Sequence, residues 1–205
     1  SKYINGSGNS ISGIIVDGGK FKWDKDRYPA MKEYSKYGKF AYTARLRNDV
    51  WRNMGGCLAP MNAYLNILGL ETLGMKVLCQ NALTLAKALE ELAGITVNYP
   101  GLESSPYKPL VDKQFGGLGG AILTIRAGSR EKAFKLINSL KYAHIATNIG
   151  DLRTLVIHPS STIYLHSTKE EQEHAGVYED TIRISVGIED VEDLIADFTQ
   201  AIENI

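Results

Sequence analysis

The sequence has few cysteines, no long apolar run and no excess of either charge. Its two cysteines, Cys57 and Cys79, lack CxxC spacing and have no histidine close by, so neither a disulfide nor a zinc site is predicted. Such usage is typical of reduced thiols in the cytoplasm. No apolar run reaches the roughly 20 residues that a helix needs to cross a bilayer. Lysine plus arginine and aspartate plus glutamate number 23 each, so no global field attracts nucleic acid or an acidic membrane.

Several catalytic signatures are missing as well. The hydroxyl residues have no Gly-x-Ser-x-Gly elbow around them, so a hydrolase triad has little support. His144, His166 and His174 show no metal-ligand spacing among themselves. We find no internal repeat and no low-complexity segment. What remains is 205 residues, of which 44% are hydrophobic and 22% charged, the composition of an ordinary globular protein with one large or two small domains.

The stretch with the clearest chemical content is the first, residues 1–9, in which a lysine beside a hydroxyl residue is followed by glycines. Gly6 and Gly8 allow the backbone to turn tightly and approach a ligand. The hydroxyls of Ser1 and Ser7 and nearby N–H groups can hold phosphate oxygens, and Lys2 in such a nest can form a Schiff base with a phosphate-bearing aldehyde. The alternative interpretation is an ordinary surface turn, which the short motif alone favours.

The position of this lysine leads to an expectation about the chain. Lys2 stands one residue from the start of the sequence, which has no initiator methionine. A Schiff-base lysine needs walls that exclude water, and one flanking residue cannot provide them. We therefore expect the chain to be the later part of a longer polypeptide whose earlier half is absent.

A second chemical signal is a single arginine inside an apolar strand. Arg183 lies in the predicted strand from Thr181 to Val186, and a guanidinium buried there needs an anion. An internal salt bridge and a bidentate grip on a substrate carboxylate are equally compatible with the local sequence. The polar loop from Thr147 to Asp151, which includes Asn148, is a place where ligands are commonly held, although a plain Asn/Gly/Asp turn explains it too.

Two other features favour structural interpretations. His158 at a strand end is followed by a proline and three hydroxyl residues, but a lone histidine in such a position is more often structural than catalytic. The run from Lys20 to Arg47 mixes charges with aromatic residues. Stacking on single-stranded nucleic acid is one interpretation, but Asp24, Asp26 and Glu33 dilute its positive charge, so we favour a folded excursion over a cleft or subunit contact.

Hydrophobic periodicity and helix-capping signals predict an α/β order of elements. A buried strand is predicted over Ile11 to Asp17, and a short helix from Arg47 to Met54. A long amphipathic helix is predicted around Leu78 to Leu92, ending at Gly94. Strands are also predicted over 95–99, 121–126, 143–146, 154–157 and 181–186, with a proline-containing loop over 100–109. The remaining predicted helices are one that starts at Pro60, one capped by Ser129, one capped by Thr168 and a last one over 191–202.

Four stretches of the sequence resemble elements of a single family. Residues 1–6 are similar to an S/T-K-Y-I-x-G element, and the run from Gly69 to Leu73 also matches. Asn148 to Pro159 is similar to an N-V-G-D…L-V-I-H-P element, and Ile182 to Glu189 to an R-L-S-V-G-I-E element. Together they resemble the Cys/Met-metabolism pyridoxal-phosphate enzymes, in order and over essentially all 205 residues.

The resemblance implies a fold-type-I α/β transferase with pyridoxal 5'-phosphate as cofactor. Residues 1–74, with an insertion at about 19–47, would end the large cofactor-binding domain. Residues 75–205 would form the small C-terminal α/β domain, entered through a long linking helix. Further cofactor contacts would come from the earlier half and from a neighbouring subunit, usually in a homotetramer. No nucleic-acid or membrane partner is expected.

The resemblance also implies roles for four residues. Lys2 would be the Schiff-base lysine, and Ser1 a ligand of the cofactor phosphate. Arg183 would bind the substrate α-carboxylate, with Asn148 beside it. Tyr164 departs from the family pattern, because it stands where the family often has histidine, so no role of that histidine is carried over.

Within the family, the resemblance is closest to the O-acetylhomoserine sulfhydrylase branch. The insertion and Asn148, where relatives typically have serine, favour that branch over cystathionine γ-synthase, cystathionine β-lyase and methionine γ-lyase. The implied reaction is γ-replacement: O-acetyl-L-homoserine and sulfide, or another thiol, give L-homocysteine and acetate in methionine biosynthesis. Two alternatives stay open. One is a γ-lyase or cystathionine γ-synthase of the same family, and the other is a non-catalytic half-chain that needs its other half.

Overall fold

A computed structural model of the chain describes residues 1–73 and 77–205, apart from the side chain of Thr72. The chain divides into a smaller unit, Ser10–Asn66, and a larger unit made of Ser1–Asn9 with Ile67–Ile205. The predicted domain boundary between residues 74 and 75 lies outside the described residues, so the division into 1–74 and 75–205 stays a prediction. The α-helices are α1 (Ala41–Arg45), α2 (Pro60–Leu73), α3 (Val77–Glu90), α4 (Lys108–Phe115), α5 (Arg130–Ser139), α6 (Lys169–His174) and α7 (Val191–Glu203).

One five-stranded sheet organises the larger unit. Its strands are β1 (Thr96–Asn98), β2 (Ile122–Arg126), β3 (His144–Ile145), β4 (Leu155–Ile157) and β5 (Thr181–Ser185). Their order is β1-β2-β5-β4-β3, and all neighbours pair antiparallel except β3 and β4. The predicted αβ pattern is confirmed. Since β5 is the central strand, Arg183 lies at the middle of the sheet, opposite Thr124 of β2 and Ile157 of β4.

The hydrophobic core forms where α3, α5 and α7 pack against the sheet and one another. Leu85 of α3, Leu136 of α5 and Phe198 of α7 are fully buried in it, and each such side chain contributes roughly 1.5–3 kcal/mol. Side chains alternate across a strand, and Ile182 and Ile184 of β5 are completely buried in this core. Arg183 and Ser185 therefore share the opposite face of the central strand.

Local capping signals were predicted correctly. The Ser129 hydroxyl accepts a hydrogen bond from the Lys132 N–H at 3.2 Å and starts α5. Thr168 and Glu171 form the predicted capping box at the start of α6. Such caps involve residues only three positions apart, which is why the sequence displays them.

The region after β1 differs from the prediction. The sequence predicted a loop because of its prolines, but residues 108–115 form α4. Pro109 occupies the first turn of that helix, where its missing N–H has no intrahelical partner to lose. The helix ends at Gly116, whose φ of +60° suits glycine.

The predicted buried strand over Ile11 to Asp17 is wrong for the structure of this chain. These residues form no strand, and Ile11, Ile14 and Val16 are 77–82% exposed. A strand needs a neighbour to satisfy its backbone and cover its apolar side chains, and no strand among the described residues pairs with this segment. The apolar pattern is present, but the described residues provide no strand to pair with it.

The rest of the smaller unit is helical and rich in aromatic contacts. The rings of Trp23 and Tyr42 stack with centroids 5.4 Å apart and an interplanar angle of 8°, and Phe21 packs 4.6 Å from Trp23. These aromatic residues therefore pack on one another, as a folded excursion requires. Helical structure begins with 3-10 turns at Pro29, earlier than the predicted Arg47, and continues through α1 and π-helical turns. None of the described helices combines the length and apolar character that crossing a bilayer requires.

A buried carboxylate on α7 provides a test of the packing in the larger unit. Asp197 is 3% exposed and accepts hydrogen bonds from the N–H groups of Lys141 and Tyr142 at 2.9–3.0 Å. We predict that Asp197→Asn destabilises the protein by about 1–3 kcal/mol, because the amide leaves a buried donor without an acceptor. Denaturant unfolding measures the change. Glu203→Gln at the exposed end of the same helix should stay within about 0.5 kcal/mol, and equal effects of the two changes would contradict the assignment.

Candidate functional site

The stretch that carries Lys2 is folded as a tight glycine turn. The Gly6 N–H donates to the Lys2 carbonyl at 2.7 Å, and Gly6 and Gly8 adopt φ values of +72° and +69°. The Asn5 side chain closes the turn by accepting from the Asn9 N–H at 3.0 Å. The Lys2 side chain is exposed at the edge of this turn. The predicted glycine loop is therefore present.

The turn packs closely against helix α2 at a glycine. A Cβ at Gly69 would overlap the backbone carbonyls of Ile4 and Asn5. Gly69 opens the run from Gly69 to Leu73 that the sequence analysis matched to the family. Glycine is needed at this position because the lysine-bearing turn approaches the helix too closely for a side chain.

Residues 147–152 form a loop, called here the connecting loop, that joins the Lys2 turn to the central strand. The Leu152 N–H donates to the Gly6 carbonyl at 2.8 Å. On the other side, Arg183 Nη2 donates to the carbonyls of Thr147 and Asn148 at 2.8 and 3.1 Å. The structure thus brings the predicted lysine and arginine segments to opposite sides of one loop.

Tyr3 packs directly against this loop. A Cβ at Gly150 would lie 2.8 Å from the Tyr3 nitrogen and 2.9 Å from its ring, and Gly150 has a φ of +71°. Burial raises the pKa of the Tyr3 hydroxyl, the neighbouring Cys79 raises it further, and the positive charge of Arg183 opposes both. The residue next to Lys2 therefore lies within electrostatic reach of Arg183.

Arg183 is a cation that the fold leaves partly unsatisfied. Its Nε is buried with no hydrogen-bond partner, and no carboxylate among residues 1–73 and 77–205 forms an ion pair with it. Burial lowers the pKa of Arg183 and Tyr3 opposes this shift, but a guanidinium stays charged in proteins. An unmade buried hydrogen bond costs about 1–3 kcal/mol. A planar anion such as a carboxylate would relieve that cost.

Asn148 lies beside Arg183 and contacts it through the main chain. Its backbone carbonyl, not its side chain, accepts from the guanidinium. The side chain is half-buried. A substrate-binding role for Asn148 stays a prediction.

Two residues that support the site, Thr154 and Asn81, were not singled out from the sequence. The Thr154 hydroxyl accepts from the Gly187 N–H at 2.9 Å and donates to Glu189 at 2.8 Å. Asn81 of α3 donates to the carbonyls of Gly187 and Glu189 at 3.1 and 2.8 Å. The end of the R-I-S-V-G-I-E stretch is therefore fixed by polar side chains. An asparagine among apolar helix positions was the available signal for Asn81.

Asp151 and His158 are occupied by structural contacts. Burial by itself raises the pKa of Asp151, but its hydrogen bonds from Arg153, at 3.0–3.3 Å, outweigh burial and hold the pKa below its usual value. His158 is buried and accepts at Nδ1 from the Ser161 N–H at 3.2 Å. Its Nε2 therefore donates to the Glu179 carbonyl at 2.8 Å. Both ring nitrogens are used internally, which fits the structural role favoured from the sequence.

The larger concave spaces lie elsewhere. A cavity of about 640 Å³ is lined by residues of the smaller unit, including Trp23 and Tyr42. Another, of about 350 Å³, lies around Tyr107 and Phe115. Among the described residues, no group of three or more histidines, cysteines and acids is placed to hold a metal ion. Neither space has Lys2 or Arg183 among its lining residues.

The chain is similar to curated and solved proteins over nearly its whole length. Homocysteine synthase of Schizosaccharomyces pombe is 41% identical over 99% of this chain and 51% of its own length. O-acetyl-L-homoserine sulfhydrylase 1 of Thermus thermophilus is 39% identical over 98% and 51%. A Campylobacter jejuni protein named as an O-acetylhomoserine (thiol)-lyase, whose structure contains a pyridoxyl-lysine phosphate, has a TM-score of 0.85 at 34% identity, over 98% of this chain and 52% of that one.

The arrangement of sheet and helices is that of part of a fold-type-I pyridoxal-phosphate enzyme. Residues 1–203 match the family described as Cys/Met metabolism PLP-dependent enzyme, and the chain belongs to that family. The predicted family, fold class and cofactor are confirmed. The chain spans about half the length of the curated relatives it matches.

The contact between Tyr3 and Gly150 gives a prediction about the site. We expect Gly150→Ala to destabilise the protein by roughly 2 kcal/mol more than Gly94→Ala, because the new methyl group meets Tyr3 at a fully packed position. Gly94 is the matched control: its φ is +87°, but a Cβ there meets nothing within 4 Å. Denaturant midpoints of the two variants measure the difference, and equal midpoints would show that Tyr3 yields to the methyl group.

Proposed function

We propose that this chain, with the remainder of a polypeptide of its relatives' length, catalyses γ-replacement on O-acetyl-L-homoserine. Sulfide, or another thiol, displaces acetate and yields L-homocysteine in methionine biosynthesis. The names of its relatives support this reaction class. The observation that carries the proposal is the placement of the Lys2 turn and the Arg183 guanidinium on two sides of one connecting loop. A cytoplasmic homotetramer remains part of the proposal.

The residues present fit pyridoxal phosphate on the side that they form. Lys2 offers an exposed amine for the cofactor aldehyde, and Ser1 offers a hydroxyl for its phosphate. The glycine turn beside them has the left-handed backbone that close approach to a ligand favours. When bound, the cofactor supplies an electron sink that makes the amino acid's Cα–H acidic.

Lys2 and Arg183 have separate roles in the proposed reaction. The Lys2 amine takes the proton from Cα and returns protons at the neighbouring carbons, a role that suits an amine of tunable pKa. Arg183 binds the α-carboxylate through its guanidinium and so fixes the orientation of the Cα substituents. Acetate leaves from Cγ with its bonding electrons, and the thiol sulfur forms the new bond at that carbon. The atoms of the replacement therefore balance without an oxidant or a reductant.

The proposal includes a requirement for the remaining half of the polypeptide. Lys2 is exposed, and the apolar side chains of Ile11, Ile14 and Val16 are uncovered. Both observations fit a chain whose packing neighbours belong to the remaining half of the polypeptide. A non-catalytic half-chain that needs its other half is the second candidate, and the mass of the intact sample separates the two. A mass near 22.6 kDa favours the half-chain, and about twice that mass favours the enzyme.

Substrate assays test the reaction itself. The complete enzyme is offered O-acetyl- and O-succinyl-homoserine, each with sulfide, cysteine or water. Homocysteine from the acetyl ester and sulfide is the expected main product. Preference for cysteine would indicate a cystathionine γ-synthase, and release of ammonia and a keto acid in water would indicate a γ-lyase.

We predict that Lys2→Ala abolishes turnover and the absorbance of lysine-bound cofactor in the complete enzyme, because no other amine in the turn can replace it. Absorbance spectra and product assays measure the change. Lys87→Ala on the exposed face of α3 is the control and should leave both unchanged. Retained cofactor absorbance in Lys2→Ala would refute the role.

We predict that Arg183→Ala weakens binding of the amino-acid substrate by roughly 10- to 100-fold, as expected for loss of a charge-assisted hydrogen bond. Arg153→Ala is the control, because Arg153 is a nearby arginine whose side chain is 61% exposed and paired with Asp151. The measurement is substrate affinity of both variants. Unchanged affinity in Arg183→Ala would count against the carboxylate role.

A further inference from the structure

We propose that Ser185 is a positioning residue for the substrate: its hydroxyl holds the connecting loop at Gly150, and the loop in turn orients Arg183. This inference rests on the proposed function, in which Arg183 binds the α-carboxylate. Ser185 itself does not touch the substrate in this scheme. It acts through three loop residues, Thr147, Asn148 and Gly150.

The geometry of the central strand supports this role. Arg183 and Ser185 are two positions apart on β5 and share one face of the sheet. Ser185 is 1% exposed, and its Oγ accepts a hydrogen bond from the Gly150 N–H at 2.9 Å. Arg183 Nη2 donates to the Thr147 and Asn148 carbonyls. One strand therefore holds both ends of the segment 147–150.

The sheet topology explains why a side chain is needed for this task. The connecting loop follows β3, and β4 lies between β3 and β5. The loop must therefore pass over β4 before its carbonyls reach Arg183. Gly150 has a φ of +71°, which is not an extended conformation, so its N–H cannot take part in β-sheet hydrogen bonding. A side-chain acceptor on β5 satisfies this buried N–H and fixes where the loop crosses.

The position of the loop affects Arg183 because the loop holds only part of its guanidinium. Two carbonyls hold one terminal nitrogen of the guanidinium, while its buried Nε has no partner. The direction of the free edge thus depends on where those carbonyls lie. If the loop loses its bond to Ser185, the charge of Arg183 remains but its direction is no longer fixed. Affinity for a carboxylate should fall more than the rate of the chemical step.

A double-mutant cycle in the complete, cofactor-loaded enzyme tests the inference. The variants are Ser185→Ala, Arg183→Ala and both together, and the probes are L-2-aminobutyrate and n-propylamine, which lacks the carboxylate. Ser185→Ala should weaken aminobutyrate binding roughly tenfold when Arg183 is present and less than about twofold when it is absent. Propylamine binding should not change. In turnover, KM for the amino acid should rise while kcat stays within about threefold.

Thr181→Ala is the matched control at the other end of the same strand. Thr181 is also buried, and its hydroxyl accepts from the Tyr178 N–H at 3.0 Å. Both variants should lose similar stability, but only Ser185→Ala should weaken amino-acid binding. Hydrogen exchange gives a readout that does not depend on activity: the Gly150 amide should exchange faster in Ser185→Ala and stay protected in Thr181→Ala. If Ser185→Ala does not fold, Ser185→Cys, a weaker acceptor of similar size, should show the same effects at smaller magnitude.

Several outcomes would overturn the inference. Additive losses in the double mutant would show that Ser185 acts independently of Arg183. An equal affinity loss in Thr181→Ala, or an unchanged Gly150 amide in Ser185→Ala, would reduce Ser185 to a general structural role. If Arg183→Ala weakens binding and Ser185→Ala does not, only this inference fails. If Arg183→Ala itself leaves affinity unchanged, the proposed carboxylate role fails and this inference with it.

Discussion

The candidate site depends on one constraint: a guanidinium has been placed at the middle of a sheet without a carboxylate partner among the described residues. Arg183 is satisfied in part by two backbone carbonyls of the connecting loop. Those carbonyls fix the loop, and the loop then needs glycine at position 150, because Tyr3 lies against it. Tyr3 is the neighbour of Lys2. The placement of a cation in β5 is thus linked, contact by contact, to the position of the amine.

Features that depend on neighbours in sequence were predictable, and features that depend on distant partners were not. The Ser129 cap, the Thr168 capping box and the apolar face of α7 involve residues three or four positions apart. Arg183 was recognisable because a charge interrupts an apolar strand. The hydrogen bond from Gly150 to Ser185 joins residues 35 positions apart, and those from Asn81 join residues more than 100 apart. No local pattern indicates such partners.

Two errors of the sequence analysis have different physical origins. Pro109 was predicted to lie in a proline-containing loop, but it occupies the first turn of α4, where proline is tolerated. The segment from Ile11 to Asp17 has the composition of a buried strand, yet its apolar side chains are uncovered. In the first case a local rule was applied at the wrong position. In the second the apolar pattern is present, but no strand among the described residues pairs with the segment.

That second case bears on the site as well as the fold. An uncovered apolar segment, an exposed lysine at the proposed cofactor site and a buried guanidinium nitrogen without a partner are each unfavourable or incomplete by themselves. The proposed site would need an anion at Arg183 and a wall that excludes water around Lys2, and the apolar segment would need a packed neighbour. A polypeptide of the relatives' full length would have the additional residues to meet the last two needs, and an amino-acid substrate would meet the first. The same addition that completes the fold would therefore enclose the site.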